Sequence, residues 1–405
     1  MPKRIAIVGA GLRGLASAAF LKSAGADVRV FEKAPRIGGI WQQVLGDVEI
    51  NTPSYGYTFH ETNIWQGHRP TKIEILSNLE RMIAHADLKD SIALSTPIER
   101  VFKTDDKTWT LNDRPEEFDG ILVCPGFLGS PRRPVLDLVA DFAGDVLLPY
   151  AFDPKSTAGK NIAIVGSGSS ALDMLAAVHG AGCKRATLFI RPEVEIRDIG
   201  RLDFLLHAIS SNPLIYKLTK KPGGTPAAVR AGINAVMNAK NVDVARYSLL
   251  RASDRQIHTS KGHAYPADVI VWCTGWEPPR VDWITRFEND PTLVVAACKR
   301  CLDAAGFGFG AASAHAKALL ATVECGLPQR FTSGSRYCDC DQDHYGFSRH
   351  ILLNLALYYI AQPDRWRLLR TGLSKGIISN RARFHSANEP KWASVLAFFN
   401  APFGF

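Results

Sequence analysis

No stretch of this sequence stays apolar long enough to cross a bilayer. Its longest such runs, for example 350–361 (HILLNLALYYIA), fall well short of the ~20 residues that a spanning helix needs. No charged leader with an apolar core opens the chain either: MPKRIAIVGAG passes straight into a strand and a glycine turn, so a cytoplasmic location is expected. Lysine and arginine are scattered, with no long run, and no nucleic-acid-binding motif appears. The formal net charge of +9 favours anionic partners in general, and phosphate-bearing small molecules satisfy it as well as a nucleic acid would. Eight cysteines in 405 residues do not make a disulfide framework; Cys124, Cys183 and Cys273 lie in or beside apolar segments and read as reduced core thiols. What is present is an ordinary globular balance, 46% hydrophobic and 21% charged, in a chain long enough for two domains or for one interrupted by another.

The first forty residues are the most informative. Arg4-Ile-Ala-Ile-Val8 is a short β-branched run of the kind that forms a buried parallel strand. Gly9-Ala-Gly11-Leu-Arg-Gly14 follows at once, then an Ala/Leu-rich helical stretch from Leu15 to Ser23 and a second strand, Val28 to Phe31. Glu32 ends that strand, close to the roughly twenty-residue spacing of a dinucleotide fingerprint. Every part has a physical role. Gly9 allows the tight turn, Gly11 lets backbone approach a pyrophosphate, Gly14 permits helix–strand packing, and Glu32 accepts from the ribose hydroxyls. An acid here disfavours a 2′-phosphate, which leaves FAD or NAD. A second glycine pair in Gly38-Gly39-Ile-Trp41 adds backbone beside the same ligand and favours FAD, the longer molecule.

The pattern then repeats with the opposite charge preference. Asn161-Ile-Ala-Ile-Val165 copies the first strand, and Gly166-Ser167-Gly168-Ser169-Ser170-Ala171 copies the turn, with Ala171 in the third glycine's place. The following strand, Ala186 to Ile190, ends in Arg191, which can take a 2′-phosphate bidentately, so NADPH is expected at this turn. The plainer reading of Arg191 is a solvated charge at a strand end. Two dinucleotide sites of opposite preference imply hydride traffic from NADPH to a bound flavin.

These residues resemble the flavin-containing monooxygenases, the class B flavoprotein monooxygenases, through most of 1–325. The first turn with Glu32, the segment Gly38–Trp41 and Asn51-Thr-Pro53 are similar to that family. So are Ile75 to Val101, where the family's backbone near Ile98 holds the adenine, and GSGSSALD at 166–173. Two linker signatures, Ile121 to Gly126 and Val269 to Trp276 with Gly275, look like its crossovers. The fingerprint F-x-G-x-x-x-H falls on Phe142-Ala-Gly144, but Leu148 stands in its histidine position. The resemblance implies an α/β fold of two Rossmann-like domains: an FAD domain made of 1–150 and 277–405 (with a helical tail), and an NADPH domain, 151–276, inserted between. It also implies that reduced flavin takes O₂ to a C4a-hydroperoxide, whose distal oxygen passes to a nitrogen or sulfur of a small substrate. Asn51 is the candidate catalytic hydrogen-bond donor beside the flavin, its alternative being a turn residue before Pro53. Leu148 counts against Baeyer–Villiger oxygenation.

Leu293 to Ala297, Gly306–Gly310 and the helix Ala311–Val323 resemble the closing FAD segment. The cluster 218–226 (LTKKPGGTP) reads as an exposed loop, a candidate lid. The aromatic-rich tail, from Tyr345 to Phe399, reads as core or homodimer packing. Cys298-Lys-Arg-Cys301 suggests the alternative of an NADPH-dependent disulfide reductase, although that class carries its pair in the NADPH domain. With Cys338 and Cys340 the same pair could hold zinc, but the spacing is irregular; reduced thiols and no metal are expected. A flavoprotein that has lost oxygen transfer is the remaining alternative, supported by Leu148.

Overall fold

The computed structural model describes residues 1–198 apart from 46–47, 51–56, 58, 61, 67–68, 105–106 and 127. It also describes 227–277 apart from 231 and 248, and scattered positions within 279–296 and 316–324. In chain order, the elements that position the site are β1 (Arg4–Val8), α1 (Leu12–Ser23), β2 (Asp27–Phe31), α2 (Lys72–His85), β3 (Ile92–Ala93), β4 (Gly120–Val123) and β5 (Asp145–Leu147). They continue with β6 (Asn161–Val165), α3 (Ser169–Gly180), β7 (Arg185–Phe189), β8 (Ala227–Arg230), β9 (Val242–Ala245), β10 (Val269–Trp272) and β11 (Leu293–Val295).

These elements form two compact units. One comprises Met1–Phe127, Phe204–Thr219 and Pro279–Phe405; the other comprises Leu128–Asp203 and Lys220–Pro278.

The first unit is built on a five-stranded sheet in the order β11-β4-β1-β2-β3. Every pairing in it is parallel. β1 sits at its centre, and the alternation of its side chains serves two cores. Ile5 and Ile7 pack with α1 and with Leu79 and Met82 of α2, whereas Ala6 and Val8 pack with Phe31, Trp109, Phe118 and Trp283 on the other face. A strand buried on both faces has no polar alternation, which is why β1 is a continuous apolar run. The run expected at 293–297 returns as β11 beside β4, with Leu293 opposite Ile121. Of the helix expected at 311–323, Ala316, Leu319 and Leu320 are helical and buried in the core of α1.

The second unit repeats the plan in the order β9-β7-β6-β10-β5, again all parallel. Here β6 is central, flanked by β7 and β10 as β1 is by β2 and β4. A four-stranded sheet of Asp141–Phe142 with the antiparallel strands Leu249–Asp254, Gln256–Thr259 and Ala264–Pro266 completes the unit. β5 pairs Asp145–Leu147 with Val269–Val271 in the second sheet, and the second unit begins at Leu128, where the sequence alone had set the division at 150. Leu148 packs half-buried in the core of this unit. Among the described residues, no helix is long and apolar enough to cross a membrane, and no group of three His, Cys, Asp or Glu is placed to hold a metal ion.

Candidate functional site: two glycine turns

Each sheet carries a glycine turn at the carboxyl end of its central strand, and the two turns are built alike. Gly9 N–H donates to Phe31 O at 2.8 Å, and Gly166 N–H donates to Phe189 O at 3.0 Å, so each turn is tied to the end of the neighbouring strand. Both glycines have φ values closed to most side chains, +107° and +144°. A Cβ on Gly14 would lie 1.9 Å from Gly9 O, which requires glycine for helix–strand packing; Ala171, fully buried, fills the corresponding place in the second turn.

The middle glycines differ from their neighbours. A Cβ on Gly11 would meet only Gly39 Cα, at 4.0 Å, and one on Gly168 would meet nothing within 4 Å. Protein packing does not demand glycine there; an approaching ligand would. Helix ends tell the same story. α2 satisfies its own amino end with a capping box, Thr71 with Glu74. α1 and α3 start at Gly11 and Gly168 with no side-chain cap, leaving their first N–H groups to an anion.

Around the first turn, Glu32 is buried and accepts from Ala10 N–H at 2.7 Å through Oε2 and from Ala34 N–H at 2.9 Å through Oε1. Each oxygen keeps further acceptor capacity for a ribose hydroxyl. Gly38 N–H donates to Ala10 O at 2.9 Å, which brings Gly39 against Gly11; Trp41 follows in a short 3₁₀ turn, edge-on to Tyr57 at 5.9 Å. Thr96 N–H donates to Glu32 O at 2.7 Å, so the run toward Ile98 passes the end of β2. The Ile98 carbonyl is already engaged by Trp283 Nε1 at 3.0 Å. Gly126 is exposed with φ +80°. Asn51 lies outside the described residues, as do Cys298, Cys301, Cys338, Cys340, the 218–226 cluster and the 331–405 tail.

Around the second turn, Ser167 and Ser170 are half-buried and Ser169 is exposed. Arg191 follows β7 with its side chain 66% exposed, and its Nη1 is 3.4 Å from Glu193 Oε1. Such an exposed pair contributes little. Gly275 is exposed with φ +112°. Burial pushes the Cys124 thiol up to about 12 and raises that of Cys273 as well, so both are neutral packing groups rather than nucleophiles.

Two features escaped the sequence reading. Asp119 accepts from Arg4 N–H at 2.8 Å and Asp268 accepts from Asn161 N–H at 2.8 Å, so an acid just before β4 and one just before β10 pin the starts of β1 and β6. The other is the set of partners around Asp173. The signal for the first was in plain view: Asp119 and Asp268 stand at the same spacing before Cys124 and Cys273.

The description "NAD(P)-binding Rossmann-like domain" matches residues 7–63, which contain the first turn and Glu32. The chain is 29% identical over 191 residues to a 4-hydroxybenzoate brominase (decarboxylating) of Marinomonas mediterranea, covering 43% of this chain and 36% of that one. It is 30% identical over 222 residues to trimethylamine monooxygenase of Roseovarius sp., covering 46% and 50%. The fold is that of an oxidized steroid monooxygenase bound to NADP, with a TM-score of 0.53 at 19% identity over 72% of this chain and 73% of that one. Over part of its length the chain is similar to flavin-dependent monooxygenases, and it shares their fold. Like them, it carries paired Rossmann-like sheets. It spans about a third to a half of the length of these two curated relatives.

Proposed function

We propose that the chain is an FAD- and NADPH-dependent monooxygenase that oxygenates a small nitrogen- or sulfur-containing molecule in the cytoplasm. The observation that carries this reading is the pair of helix ends without a side-chain cap at duplicated glycine turns, the first beside Glu32 and the second in a unit whose next strand, β7, is followed by Arg191. The residues fit the two cofactors. The Gly9–Gly14 turn and the first N–H groups of α1 would hold the FAD pyrophosphate, and Glu32 its ribose. Gly39, Trp41, Gly126 and the backbone at Ile98 would line the rest, with Asn51 as the hydrogen-bond donor to the reacting flavin edge. Gly166, Ser167, Gly168, Ser169 and Ser170 would hold the NADPH pyrophosphate, Arg191 its 2′-phosphate, and Gly275 would let the chain pass close by. Bound flavin would supply hydride acceptance and activation of O₂.

The relative named for trimethylamine supports a nitrogen substrate. Leu148, packed in the second core where the resemblance puts a histidine, favours amine or sulfide over ketone oxygenation. The test measures O₂ uptake by the purified yellow protein with NADPH, and quantifies oxygenated product and H₂O₂ with an amine, a sulfide and a cyclic ketone. Oxygenated amine or sulfide in step with NADPH consumption is expected. H₂O₂ equal to NADPH consumed with all three would overturn the proposal, and a colourless protein that takes up no FAD would overturn it sooner.

A further inference from the structure

Asp173 sits on α3 just inside its amino end and is only 9% exposed. Its two oxygens are held by different parts of the second unit. Tyr150 Oη donates to Oδ2 at 2.9 Å, and Arg230 Nε, from β8, donates to Oδ1 at 3.0 Å. Tyr150 is fixed in turn by stacking on Trp276, with ring centres 6.4 Å apart and planes at 25°. It adopts φ +62°, an unusual backbone for a tyrosine that the surrounding contacts must hold. Burial first, and then the Asp173 charge, push its phenol up, so Tyr150 is a neutral donor and Arg230 supplies the positive charge.

A carboxylate in this place has two opposite effects. The helix dipole favours it, yet the same carboxylate repels the anion that the uncapped end of α3 would receive. We infer that Arg230 is a charge-compensating positioning residue of the second nucleotide site, neutralising Asp173 so that the amino end of α3 can accept a pyrophosphate. The inference rests on the reading of residues 166–170 as an NADPH turn. It assigns Arg230 a role separate from that of Arg191: Arg230 serves the pyrophosphate common to NADPH and NADH, Arg191 only the 2′-phosphate.

The test is fluorescence titration of the full-length protein with NADPH and with NADH, alongside thermal melts. Arg230→Gln should weaken both nucleotides by about tenfold, the order expected of one uncompensated charge acting across roughly 10 Å of partly buried protein. Asp173→Asn should bind both at least as tightly as the wild type, and the double variant should return to within about threefold of it. A purely structural ion pair would instead make the two single variants lose affinity together. That outcome, or Arg230→Gln binding like the wild type, overturns the inference. Should Arg230→Gln fail to fold, Arg230→Lys and Asp173→Asn decide: wild-type affinity in the first and undiminished affinity in the second sustain it, and weakening in the second refutes it. A wild-type chain that binds neither nucleotide removes the site reading itself, and the inference with it.

Discussion

A Cβ placed on Gly9 would stand 2.4 Å from the carbonyl oxygen of Cys124, and one placed on Gly166 would stand 2.1 Å from that of Cys273. Backbone cannot yield as a flexible side chain can, and both glycines also need positive φ. Gly9→Ala is therefore expected to cost about 2 kcal/mol or more of stability and to empty the first site. Gly166→Ala should leave flavin bound and abolish its bleaching by NADPH. The flavin-to-protein absorbance ratio and anaerobic NADPH titration check the two separately.

Gly168 makes the opposite prediction for folding. With nothing near its missing Cβ and an ordinary φ of −103°, Gly168→Ala should leave stability within about 1 kcal/mol of wild type. Nucleotide affinity should nevertheless fall, because the methyl group occupies the approach to the helix end. A thermal melt paired with an NADPH titration distinguishes this ligand-facing glycine from a packing one; a lower melting temperature with unchanged affinity would contradict the assignment.

Arg191 and Glu193 should pull NADPH preference in opposite directions. Arg191→Ala removes a charge-assisted contact worth roughly 1.5–3 kcal/mol and should raise the NADPH KM by one to two orders of magnitude while leaving that for NADH nearly unchanged. Glu193→Gln frees the guanidinium from its exposed partner and should lower the NADPH KM by a few-fold at most. Steady-state kinetics with both nucleotides is the measurement, and equal effects of Arg191→Ala on NADPH and NADH would remove the 2′-phosphate role.

Asp268 gives the second unit an acid-sensitive joint. Hydrogen bonding from Asn161 N–H, and then from Arg255, holds its carboxyl below the usual carboxylate range. A pKa lowered by folding contributes stability above the unfolded value near 3.8, and that contribution disappears as pH falls through the lower folded value. Asp268→Asn should thus destabilise the protein by about 1–2 kcal/mol at pH 7, and the difference should shrink below about pH 4. Denaturant titrations at the two pH values decide it.

Much of this architecture was readable in the chain because it is local. β1 with its turn, α1, β2 and Glu32 follow one another without interruption, and so do β6, its turn, α3 and β7. The return of 293–295 to the sheet agrees with the family resemblance of Leu293 to Ala297 rather than with any local pattern. What escaped depends on pairs far apart in sequence. The clasp of Asp268 on Asn161 spans 107 residues, and the engagement of Ile98 O by Trp283 spans 185. An acid before a strand looks like a turn residue until its partner is known. The division at 150 was misplaced for a related reason: Asp145–Leu147 is too short for any periodicity, and only its pairing with Val269–Val271 assigns it. Asp173 stood inside a recognised motif, but its partners Tyr150 and Arg230 come from either side of it.

The seating of β11 against β4 has a consequence for how the chain is made. The sheet begun at Arg4 has a vacant edge until residues 293–295 have left the ribosome, whereas every strand of the other sheet has been synthesised by Trp272. The later-starting half is the first able to close, so a chain stopped near residue 276 keeps one finished sheet and one left open along β4 to self-association.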